Sequence, residues 1–138
     1  MNKITAVNIL LWLIAAITVF HLSILLKLVP YEITWGGRLK SEAEMYAFES
    51  ISIAVNLFLG FVLMIKGGYV RQILPLKMVN AILWIFLVIF TLNTIGNIVA
   101  ETYFEKFFAL VTVSFSILIW VILNKGKKQE THGKTHSV

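Results

Sequence analysis

The chain is 138 residues long, 59% hydrophobic and 14% charged, with a formal net charge of +5 and no cysteine. A water-soluble domain carries roughly a quarter charged residues, so a bilayer is the expected solvent; the missing thiols exclude disulfide frameworks, zinc–thiolate and iron–sulfur sites and CxxC redox centres. The positive charge does not imply nucleic acid, because no polar domain is there to display it; beside apolar spans it reports orientation and contact with anionic lipid.

Four apolar runs follow one another: Ile4–Leu26, Met45–Ile65, Met78–Ala100 and Tyr103–Leu123. Each is near the ~20 residues that cross a hydrocarbon core as a helix, and a backbone in lipid must satisfy its own hydrogen bonds, so all four are expected to be helical. The predicted helices cover about 4–26, 42–65, 78–100 and 103–123. The first run is too long for a signal-peptide core and no A-x-A-like site follows it, which makes it an uncleaved span. Pro30 stops it, and Gly36-Gly37 turn the loop that follows. Tyr31, Trp35 and Tyr46 suit headgroup depth. Ser41 with Glu44 matches a capping box for the second helix, as Thr102 with Glu105 does for the fourth. Gly67-Gly68 end the second helix and Pro75 opens the third.

The expected architecture is an all-α, antiparallel bundle of four transmembrane helices in one domain, residues 1–124. A polar, basic tail, 125–138, lacks apolar periodicity and is expected to be disordered. His132 and His136 are four apart in that tail, without the rigid frame a metal site needs. The sequence suggests no metal and no cofactor.

Lys3, Lys66, Arg71, Lys77, Lys125, Lys127, Lys128 and Lys134 fall on one side of the bundle. Lys27, Arg38, Lys40 and Lys106 fall on the other, diluted by Glu32, Glu42, Glu44, Glu101 and Glu105. The positive-inside rule then puts both termini in the cytoplasm, with a bacterial inner membrane as the expected location.

The polar residues inside the spans carry the functional argument. At 100° per residue, Asn93, Asn97 and Glu101 share one face of the third helix beside Gly96 and Ala100. Small residues with amides mark a face that meets other helices. Glu49, Ser52, Asn56 and Gly60 make a similar face on the second helix, Ala109, Thr112 and Ser116 one on the fourth, and the first offers Thr18 and His21. At 1.5 Å per residue, Asn56 lies near the midplane, His21, Glu49 and Asn93 roughly 6–10 Å outward, and Asn97 about 12 Å outward. The expectation is a polar pocket in the outer half, lined by His21, Glu49, Ser52, Asn56, Asn93, Asn97 and Glu101, under a loop carrying Trp35 and Arg38.

An ionised carboxylate at mid-span is costly, so Glu49 must be hydrated, paired or protonated. Arg38, Lys27 and His21 are its candidate partners. In the plainer alternative, Glu49 and Arg38 form a structural pair and the asparagines bond helix to helix.

The string "HLSILLKLVPYEITWGGRLKSEAEMYAFES", with "LNTIGN" further on, resembles a group of small bacterial four-helix membrane proteins of uncharacterised function, and in architecture the chain resembles the DoxX-like membrane proteins. The resemblance implies the four-helix fold and no catalytic residue. Three readings stay open: a bundle that binds a lipid or small amphipathic ligand; a non-catalytic scaffold or partner subunit, possible also as a homo-oligomer; and a small proton-coupled exporter. Whether any reaction occurs is undecided. If one does, Glu49 and His21 would be its acid–base pair on a lipid-like substrate. No GxGxxG, P-loop, HExxH or GxSxG motif supports nucleotide, phosphoryl or hydrolase chemistry.

Overall fold

The computed structural model describes residues 1–33, 39–100 and 103–135. Trp35, Arg38, Glu101, Thr102 and His136 lie outside them, so the loop over the pocket, the Glu49–Arg38 pair, Glu101 as a lining residue and the Thr102 cap do too. Among the described residues the fold is all-helical: α1 (Lys3–Leu25), α2 (Glu42–Gly67), α3 (Leu76–Ile98) and α4 (Tyr103–Thr135), with a short 3-10 turn at Tyr31–Ile33. All four helices are long and apolar enough to cross a membrane, α4 over Tyr103–Lys125.

Local chemistry explains the helix ends. The Asn2 side chain caps α1 by accepting from the Thr5 N–H at 2.7 Å. The Ser41 hydroxyl accepts from the Glu44 N–H at 3.2 Å, and the Glu44 carboxylate reaches back to the Lys40 N–H at 2.7 Å. This is the expected box, displaced by one residue on its return arm. Gly68 closes α2 at φ 80°, a conformation that suits glycine. At Gly67 a Cβ would come within 2.8 Å of the Tyr69 ring, so that ring fixes the residue as glycine by close approach.

Two helix ends differ from expectation. α1 stops at Leu25, before Pro30 can act, because Lys27 turns the chain at φ 57°. The Lys27 ammonium meets Glu42 at 2.7 Å. That hydrogen bond, ahead of the Coulomb attraction, raises Lys27 above the usual lysine range. α4 does not end near residue 123; helical backbone continues to Thr135, through most of the stretch predicted as a disordered tail. Once a helix is nucleated, each further residue adds a hydrogen bond at little extra cost.

Each helix packs on its two neighbours in chain order, and α1 meets α4 to close the ring. The α3–α4 and α1–α2 contacts are the most extensive, α1–α4 follows, and α2–α3 is the thinnest of these four. The apolar core is concentrated toward the end of the bundle that holds the α2–α3 loop. Ala6, Val7 and Leu10 of α1, Leu59, Val62 and Leu63 of α2, Val79 and Leu83 of α3, and Ile119 and Ile122 of α4 are fully buried there. Two polar ties brace the same end: the Lys66 ammonium donates to Asn80 at 2.6 Å, and the Tyr69 hydroxyl donates to Asn8. Lys66, placed in a loop by the sequence reading, is buried in the last turn of α2. Outward faces are also apolar, with Trp12, Ile51, Leu57, Leu92 and Leu110 exposed.

Candidate functional site

At the opposite end, where α1 leads into α2 and α3 into α4, the bundle is hollow. A cavity of about 360 Å³ is lined by residues of all four helices. Counting 1.5 Å per residue from Phe104 to Phe115, it runs roughly 16 Å along α4. His21, Glu49, Ser52, Asn56, Asn93 and Asn97 all line it, joined by Glu105 and Thr112 of α4.

Among the described residues, Glu49 and His21 form the site's tightest polar contact. Glu49 is fully buried, and its Oε2 lies 2.6 Å from His21 Nδ1. One proton lies between them: either the imidazole N–H donates to the carboxylate or the carboxyl O–H donates to the imidazole. The side chains meet because α1 and α2 run antiparallel and each residue lies a few positions from the connecting loop. Lys27, the other described candidate partner, goes to Glu42 instead. A short, buried acid–imidazole contact can hold a polar ligand group or hand a proton to one.

The other polar lining groups remain available. Asn56 is buried, Ser52 and Asn97 are half-buried and Asn93 is exposed. None of these four side chains hydrogen-bonds another described residue, so each can bond a guest. The rest of the lining is rich in rings: Phe20 packs on Phe104 and Phe108 with ring centroids 6.0 and 5.4 Å apart, and Phe90 stacks on Phe115 at 4.8 Å. Rings and amides sharing one lining make an amphipathic chamber.

The helix-joining groups of α3 are not the asparagines. Thr94 and Thr112 bring their hydroxyl oxygens to 2.9 Å, and Thr91 approaches Ser116 at 3.5 Å. Ala109, Thr112 and Ser116 are buried, so the small-residue stripe of α4 does pack, against threonines that the sequence argument passed over. The missed signal was a second polar arc, Thr91 and Thr94, beside the Asn93–Asn97 arc. Among the described residues no group of three or more His, Cys, Asp or Glu side chains could hold a metal. No protein-family model, curated protein or solved structure matches the chain.

Proposed function

We propose that this is a multi-pass inner-membrane protein, with both termini in the cytoplasm, that binds a lipid or small amphipathic ligand in the outer half of its bundle. The observation that carries this reading is the chamber itself: buried Glu49 against His21, unpaired amides and phenylalanine rings in one lining. Its volume lies at the low end of the ~300–1,000 Å³ typical of small-molecule sites. Apolar outward faces and helices of spanning length support the bilayer setting, and the excess of Lys and Arg at the α2–α3 loop end supports the orientation.

The test is thermal stabilisation of purified protein by added amphiphiles. Glu49→Gln and Asn93→Leu should each abolish the ligand-induced rise in Tm. A scaffold predicts no such rise in the unaltered protein and only changed stability or partner capture in the variants. An exporter predicts that Glu49→Gln abolishes efflux driven by a pH gradient across vesicles.

A further inference from the structure

The chamber's exposed lining residues are not spread evenly. Val55 of α2 and Ile89 of α3 are 43% and 45% exposed, and Asn93 and Gly96 of α3 are exposed too. Every described lining residue on α1 and α4 is half-buried or buried. The opening therefore lies between α2 and α3, the neighbouring pair with the thinnest packing. These helices are held together at the far end by Lys66–Asn80 and lower down by the Phe58–Phe86 ring contact. Beyond Phe86 the chamber begins. At Gly96 a Cβ would meet no described atom within 4 Å, so among the described residues nothing packs on the α3 lip at that point.

A slit along the flank of a membrane bundle faces acyl chains rather than water. Its guest therefore arrives from within the bilayer. The chamber is small for a two-chain phospholipid but suits one chain with a compact head. The head group follows from the polar lining. Glu49 and His21 already meet each other, and Ser52, Asn56, Asn93 and Asn97 are uncharged groups that can donate to and accept from a hydroxyl.

We infer that the α2–α3 slit is a lateral doorway through which a single-chain amphiphile with an uncharged, hydroxyl-bearing head leaves the bilayer and enters the chamber. This rests on the ligand-binding reading above and adds a route and a ligand class.

The experiment measures uptake by the full chain in phosphatidylcholine nanodiscs. Donor vesicles carry glycerol monododecanoate, dodecylamine or dodecanoate, and native mass spectrometry at timed intervals counts bound probe. Gly96→Trp and Val55→Trp build an indole into either lip of the slit, and Ile117→Trp on the exposed face of α4 controls for an added indole. The glycine change also removes a residue unfavourable within a helix. The expected result is binding of the ester in preference to the amine and dodecanoate, with uptake about tenfold slower in both lip variants and unaltered in the control. Lip variants that load at the original rate overturn the doorway while the binding reading stands. Preference for the amine or for dodecanoate overturns the head-group assignment. No uptake of any probe by the unaltered chain removes the binding reading, and this inference with it.

Discussion

The two halves of the bundle are built from the same four helices and differ in what they enclose. Around the α2–α3 loop, branched aliphatic side chains from every helix meet in one buried cluster, and a second, more open hollow there lies on the α1–α2 flank, between Leu11 and Ile14 of α1 and Gly60 and Met64 of α2. Toward the other end, the fully buried set shrinks to a few residues, among them Glu49, Met45 and Ile24, and the middle is open. The contrast shows how a small bundle can carry a hollow. Stability is concentrated at one end in close packing, which leaves large rings and amides at the other end free to line space.

The sharpest way to break this comparison is to truncate one side chain in each half. Leu83→Ala, in the solid half, should cost about 2–5 kcal/mol. Ile89→Ala, six residues further along the same helix and already facing the opening, should cost under about 1 kcal/mol. Denaturation midpoints in mild detergent measure both, and equal losses would erase the distinction. Next in size is His21→Leu, which leaves the Glu49 carboxyl without its imidazole and should cost about 1–3 kcal/mol. Adding Glu49→Leu should recover part of that loss, since a buried polar pair can often be replaced by apolar groups more cheaply than it can be halved. A double-mutant cycle isolates the coupling. The smallest effect concerns Thr18, whose Oγ1 is the one buried side-chain polar atom without a hydrogen-bond partner among the described residues. Thr18→Val keeps the shape and removes the unmet hydroxyl, so Tm should rise by the equivalent of up to about 1 kcal/mol. A fall in Tm would mean that lipid or a neighbour serves that hydroxyl.

Much of the fold could be read in advance because its causes are local. Hydropathy located all four helices, and their expected starts and the ends of α1 to α3 lie within about two residues of those found, as is usual for helix boundaries. Ser41 and Gly68 act at short range, so their roles were visible in the string. Depth was legible for the same reason, since counting along a helix puts His21 and Glu49 at one level. Facing was harder. α3 is apolar almost all round, so periodicity could show that Asn93 and Asn97 share an arc but not which neighbour that arc meets. The choice between threonines and asparagines as the α3–α4 joint depends on how α3 is rotated, which packing across the whole bundle decides. The helical extension of α4 was missed because composition read as a solvated tail outweighed the continuity of a helix already formed.

The His21–Glu49 contact joins residues of the first two helices, 28 positions apart. For a chain that threads into a bilayer as it is synthesised, both of these groups emerge from the ribosome before α3 or α4 exists. The first hairpin can therefore shield its own acid and its own imidazole on arrival. The nascent protein then need not expose a lone carboxylate to hydrocarbon while it waits for its second half.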